Sequence, residues 1–157
     1  ELGSPAMSNR AALAAVMPAM LRHEGRWDGW YRHFGAEGQL LDAHRVKTHC
    51  EFPDSGPWHY IQHNWLTWDD GRDAHYEFGG RLEGEHLIWQ TDRFSGYGWQ
   101  THEDVLMLRL EREDVPDAYY IEMIALAADG LTRSRTWEWF QHGRPWKWTL
   151  CNEEKLP

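Results

Sequence analysis

The chain has 157 residues and a mass of 18.6 kDa, the size of one domain, and a chain of this length buries about two thirds of its unfolded surface without help from a metal or disulfide. Its 25 Asp and Glu outnumber 16 Lys and Arg for a net charge of −9, which argues against nucleic acid or an anionic membrane surface as partner. Mean hydropathy is −0.75, no apolar run approaches the ~20 residues that span a bilayer, and 11 Trp exceed the needs of an ordinary core, so the composition points to a soluble small-molecule handler.

Residues 1–7 read as a remnant of tag removal. No signal peptide is expected after them, because Ala11–Met20 lacks a basic start and leads into charged residues; a cytoplasmic location follows as the default. Leu13, Val16, Met17, Met20 and Leu21 follow helical spacing, so residues 8–24 are expected to form an N-terminal helix capped by Ser8 or Asn9 and broken or kinked at Pro18.

Beyond Gly25 the helical period gives way to hairpin signals. Glu37-Gly38, Asp70-Gly71, Glu83-Gly84, Asp129-Gly130 and His142-Gly143 supply the positive φ that tight turns demand. They separate ten predicted strands: Arg26–Phe34, Leu40–Phe52, Trp58–Trp68, Arg72–Phe78, His86–Phe94, Tyr97–Thr101, Val105–Arg112, Tyr119–Ala127, Thr132–Phe140 and Trp146–Cys151. Ser95-Gly96-Tyr97-Gly98 reads as a bend. So many short antiparallel strands curl and close, predicting an all-β up-and-down barrel over residues 25–151 with a tail at 152–157. Cys50 and Cys151 are too few for a disulfide framework and are expected to be reduced.

Alternation along the strands sorts the two faces. Leu40, Asp42, His44, Val46, Thr48, Cys50 and Phe52 share one face of the second strand. Trp58, Tyr60, Gln62, Asn64, Leu66 and Trp68 share one face of the third, whose other face (His59, Ile61, His63, Trp65, Thr67) is not clearly more exposed, and Ala74, Tyr76 and Phe78 share one face of the fourth. Large aromatics mixed with amides suit the wall of a ligand cavity better than a dry core.

At the junction of helix and first strand stands His23-Glu24-Gly25-Arg26-Trp27-Asp28-Gly29. A helix leading into Gly25-x-Trp27 resembles the lipocalin, or calycin, signature. That resemblance implies that Trp27 closes the barrel floor against a basic residue of the last strands, Arg133 or Arg135. Together with Gln62-x-Asn64, Trp68-Asp69-Asp70-Gly71 and Arg135-Thr136-Trp137, the pattern is similar to a bacterial lipocalin-like family of uncharacterised function, distantly related to the phycobiliprotein chromophore lyases. It covers most of Leu21–Leu150 and implies an internal pocket without fixing a reaction. Gly25, Trp27 and Gly29 are also similar to the nitrobindin-like haem barrels, but Trp30, Tyr31 and Arg32 follow where that motif continues with glycines and a proline. No haem or other cofactor is expected.

No phosphate loop, nucleophile elbow, Cys-x-x-Cys or His-Glu-x-x-His is present. His59 and His63 lie about 13 Å apart at ~3.3 Å per residue, too far to share an ion, so no metal is expected. The polar set left on the barrel wall is Tyr31, His33, His44, Tyr60, Gln62, Asn64, Arg93, Glu122 and Arg135. Glu122, between Ile121 and Met123, either points outward or is a buried carboxyl suited to acid/base work. Arg135 reads as a cation stacked on indole at the barrel base. Trp89, Trp99, Trp137, Trp139, Trp146 and Trp148 are too many for the core alone; some line a cavity or cover a surface used for homodimerisation.

The resulting expectation is a barrel that takes a small apolar, aromatic or terpenoid-like molecule and performs a cofactor-independent lyase, isomerase or cyclase reaction. Glu122, His44 and Tyr60 are the candidate acid/base groups. Tyr31, Gln62, Asn64, Tyr76, Trp89, Arg93, Trp99 and Trp137 are the candidate substrate contacts. A non-catalytic carrier or sensor is the alternative.

Overall fold

The structure, a computed structural model, describes residues 7–157; the first six residues of the expected tag remnant lie outside the described residues. Two short helices come first, α1 (Asn9–Val16) and α2 (Pro18–Leu21). The Ser8 hydroxyl caps α1 by accepting from the Ala11 N–H, and Pro18 begins α2 at the one helical position where its missing N–H costs nothing. Leu13, Met17, Ala19 and Met20 are buried against one end of the barrel. The Ala19 N–H donates to Gln100 Oε1 at 2.9 Å and Arg22 pairs with Asp104 at 2.5 Å, which ties the helices across that end.

Ten strands follow: β1 (Gly25–Gly35), β2 (Leu40–Glu51), β3 (Tyr60–Thr67), β4 (Asp73–Glu83), β5 (His86–Gln90), β6 (Phe94–His102), β7 (Val105–Arg112), β8 (Ala118–Leu126), β9 (Thr132–Gln141) and β10 (Arg144–Lys155). Each pairs antiparallel with its sequence neighbours, and β1 pairs with β10, closing the barrel. The five turn glycines at positions 38, 71, 84, 130 and 143 all have positive φ, between 61° and 90°.

The boundaries differ from the sequence expectation where pairing partners decide them. β3 starts at Tyr60 instead of Trp58, whose half-exposed indole lies on Gly79. β4 runs on through Glu83 because Gly79 and Gly80 pair with Ile61 and Tyr60. β5 stops at Gln90, where the Thr91 hydroxyl accepts from the Arg93 and Phe94 N–H groups and turns the chain. Ser95–Gly98 is therefore strand and not a bend, paired on both sides. β10 extends to Lys155, drawn on by its register with β1 from Gly35↔Lys147 to Trp27↔Lys155; residues 152–155 are wall, not tail.

The helices close the end of the barrel where β1 begins. The opposite end, where β1 gives way to β2 and β5 to β6, is open. Six of the 11 tryptophans face inward (Trp27, Trp68, Trp89, Trp137, Trp139, Trp146) and five face outward (Trp30, Trp58, Trp65, Trp99, Trp148). Among the described residues, no helix is long and apolar enough to cross a membrane.

Candidate functional site

Between the helix-capped floor and the open end lies a cavity of about 570 Å³. Five indoles (Trp68, Trp89, Trp137, Trp139, Trp146) and the aliphatic residues Leu66, Leu106, Leu108 and Leu110 make it mostly apolar. Its floor is set by Trp27, fully buried, whose indole N–H donates to the His23 carbonyl at 2.9 Å. The Arg133 guanidinium stacks 4.3 Å above that indole, so Arg133 and not Arg135 is the basic partner at the base. Both Arg133 nitrogens on one side of the fork reach Glu153, at 2.8 and 3.1 Å, and Arg133 Nη1 donates to His23 Nδ1 at 3.0 Å. That bond places the His23 proton on Nε2, which is buried without a partner among the described residues. Burial works to raise the Glu153 carboxyl, but Arg133 and Arg135 outweigh it and hold the group at about 2.

Higher on the same wall, Arg135 donates through Nε to Glu122 at 3.0 Å and through Nη1 to Glu153 at 3.3 Å. Its guanidinium lies 4.6 Å from the Trp137 ring, midway up the barrel. Glu122 is buried and faces inward; desolvation raises its pKa, and the attraction of Arg135 offsets this only in part. Among the described residues it is the interior carboxyl whose pKa the surroundings raise. Burial likewise raises the Tyr31 and Tyr120 hydroxyls, which also line the cavity.

The opposite wall carries a chain of hydrogen bonds. The Tyr60 hydroxyl donates to Gln62 Oε1 at 2.6 Å, Gln62 Nε2 donates to Asn64 Oδ1 at 2.9 Å, and the Thr48 hydroxyl donates to the same oxygen at 3.1 Å. Tyr60, raised by burial and then by Cys50, is committed to this chain and is poorly placed to act as a base. Beside it, Gly98 leaves room for Trp89: a Cβ there would sit 2.9 Å from the indole. The Trp89 N–H is buried and has no partner among the described residues.

At the open end, His33, Asp42 and His44 converge from β1 and β2. His44 Nδ1 meets Asp42 Oδ2 at 3.0 Å and its ring stacks on Trp68 at 4.3 Å, while the Trp68 N–H donates to both Asp42 oxygens at 3.1 Å. His33 is held to the Thr149 hydroxyl at 2.7 Å. Burial, reinforced by Lys147 and His44, pushes His33 down to about 4. One donor atom from each of the three lies within 4.8 Å of the others, and His49, Glu51 and His63 form a similar group on the outer face. These are donor sets a divalent ion could use. They arise across neighbouring strands, which spacing along one strand does not reveal.

Of the expected contact set, Tyr31, His44, Tyr60, Gln62, Asn64, Tyr76, Trp89, Arg93, Glu122 and Trp137 all line this cavity. Trp99 does not. Gly96, Gly98 and Gln100 take the inward positions of β6, which puts Trp99 outside against Tyr97. Nor do the three acid/base candidates form one cluster: Glu122 is bonded to Arg135, His44 to Asp42 and Tyr60 to Gln62. The sequence pattern does not single out Glu153, Thr149 or His23 as site residues. Inward alternation along β10, continued past Cys151, would have found Glu153.

No family model matches the sequence, and no curated protein is significantly similar to it. Solved structures are. An S-type phycobiliprotein lyase, CPES from Guillardia theta, superposes with a TM-score of 0.71 at 14% identity, over 90% of this chain and 93% of that one. A protein of unknown function of the DUF3598 family from Nostoc punctiforme gives 0.66 at 13% identity; the match covers 87% of this chain but 49% of that protein, so this chain spans about half its length. Rv2717c from M. tuberculosis gives 0.64 at 13% identity, over 93% and 98% of the two chains. Closed ten-strand architecture and these superpositions together define the class: a lipocalin-like antiparallel barrel.

Proposed function

We propose that the barrel binds a small, largely apolar organic molecule with aromatic character and carries out a cofactor-independent proton-transfer reaction on it, of the lyase, isomerase or cyclase kind. The observation that carries this reading is the cavity: about 570 Å³, closed at one end, walled by five indoles, with a protonatable carboxyl on its wall. Glu122 is the group assigned the acid/base role, because a desolvated carboxyl has a pKa moved toward neutrality and works in a water-poor site. Its bond to Arg135 fixes its orientation and leaves Oε1 for the ligand. A lyase superposes on this barrel, which fits the reading at the level of fold.

A non-catalytic carrier is the second reading. It is favoured by the pairing of His44 with Asp42 and of Tyr60 with Gln62, which leaves Glu122 without a second proton-transfer group in contact.

An uncharged apolar fluorophore such as Nile red is expected to bind with micromolar affinity and to quench tryptophan emission; micromolar binding needs about 8 kcal/mol, within reach of a site that buries most of a drug-sized ligand. Competition by a panel of hydrophobic aromatics then ranks substrate candidates, which are screened for turnover. Glu122→Gln is expected to leave fluorophore affinity within about threefold and to abolish turnover, the loss of a general acid being worth roughly 10²–10⁴ in rate. Turnover that survives the substitution removes Glu122 from the mechanism, and a barrel that binds neither fluorophore nor competitors has no ligand cavity in solution.

A further inference from the structure

The chain is acidic, at −9, yet its cavity is not. Five cations line the cavity, Arg93, Arg112, Arg133, Arg135 and Lys147, against two carboxyls, Asp42 and Glu122. Arg133 and Arg135 have Glu153 and Glu122 as partners, and Arg112 is bonded to Asp114 at 2.6 Å. Arg93 and Lys147 have none. Among the described residues, neither meets a carboxylate at ion-pair distance. Arg93 lies 3.8 Å over the Tyr76 ring, and Lys147 sits 4.1 Å from the Trp139 ring and 5.0 Å from Trp146. Aromatic faces of this kind hold a cation in place without neutralising it. Two carboxylates on this side of the barrel are already engaged, Asp42 by Trp68 and His44 and Asp114 by Arg112.

The interior repeats the theme. The two cavity-lining polar atoms that are buried without a partner, Trp89 Nε1 and His23 Nε2, are both N–H donors, the second because Arg133 fixes the His23 tautomer. Among the described residues, the fully buried polar atoms left unpaired along the cavity are thus donors.

We infer that the molecule this cavity takes is an organic anion: an aromatic body against the indoles and a carboxylate at the open end, held by a cation that has no carboxylate partner there, Arg93 or Lys147. This rests on the cavity reading above and adds to it the charge of the ligand and the point at which it is held. A cation over an aromatic face is preorganised and already partly desolvated, so its attraction for an entering carboxylate exceeds that of a free surface lysine. The same surplus steers the anion to the mouth against the repulsion of an acidic protein, and that steering weakens with salt.

Matched fluorescent probes test the inference: pyrenebutanoate and its uncharged counterpart pyrenebutanol, with binding read by energy transfer from tryptophan. The carboxylate is expected to bind at least about tenfold more tightly than the alcohol, the factor for one charge-assisted hydrogen bond gained. Arg93→Gln and Lys147→Gln break no ion pair, and at least one of them is expected to remove most of the ratio between carboxylate and alcohol affinity. Equal binding of the two probes overturns the anion assignment and leaves the cavity standing. A carboxylate preference that survives both substitutions overturns the assignment to the open end. If neither probe binds, the cavity reading falls with it.

Discussion

Trp27→Ala is expected to cost about 3–5 kcal/mol of stability, the range for truncating a buried aromatic, with the upper half more representative here. The indole is fully buried, so its removal leaves a cavity that the closed end cannot refill by collapse: the His23 ring lies 6.2 Å away on one side and the Arg133 guanidinium sits 4.3 Å over the ring. Two further interactions go with the ring. Its N–H donates to the His23 carbonyl, and losing that bond strands a buried acceptor at about 1–3 kcal/mol. Its face carries Arg133 at 4.3 Å and Lys155 at 5.6 Å, contacts worth about 0.5–2 kcal/mol. Trp27→Phe keeps a ring under Arg133 and removes the N–H, so its loss should fall between wild type and the alanine variant. Urea unfolding followed by far-UV circular dichroism measures both. A loss below ~1 kcal/mol for the alanine variant would mean that the floor does not depend on this side chain.

The sequence showed the barrel more clearly than it showed the site, and the reason is physical. Hairpins leave local marks: an acidic or polar residue followed by glycine at 38, 71, 84, 130 and 143 demands positive φ, and each of these glycines has it. Helix-breaking Pro18 and the Ser8 cap are equally local. Alternation groups the residues of β3 and β4 by face but does not say which face of β3 turns inward; closure of the barrel turns Tyr60 and Phe78 in. Partners across the barrel leave no such mark. Glu153 joins Arg133 and Arg135 through β9–β10 pairing, and only alternation carried past Cys151 separates this fully buried carboxylate from a charged tail. Trp99 shows the converse. An aromatic strand residue reads as a contact from either face, and only the register of β6 on β7, with glycines taking the inward positions, sends it outside. Glu122 stood undecided between inside and outside because Ile121 and Met123, its apolar neighbours, are themselves half exposed to solvent.

Glu153→Gln is expected to be comparably severe, at about 3–5 kcal/mol, the cost of removing one partner from a buried ion pair. The carboxylate is bidentate to Arg133 and bonded also to Arg135, all three groups being buried, so the variant leaves two guanidinium charges in the barrel with Glu122 alone to face them. The pH dependence carries the diagnosis. In the folded state Glu153 is held at about 2, below the ordinary carboxyl value of 4.5, so its contribution to stability is complete above about 4.5 and is lost as pH falls toward about 2. The stability gap between wild type and variant should thus be widest at neutral pH and should close through that window, a comparison that chemical unfolding at a series of pH values provides. Glu122 titrates in the opposite sense. Its folded pKa is raised, so the folded state binds its proton more readily than the unfolded chain and stability falls as pH rises through its titration. Glu153 is among the charges that hold Glu122 up, and Arg135 links the two. Removing the Glu153 charge should therefore lower the Glu122 pKa, visible in the carboxyl chemical shift of a ¹³C-labelled protein. Were the Glu122 titration unchanged in the variant, the four groups would not act as one electrostatic unit, and the acidity of the cavity wall would have to be set by burial alone.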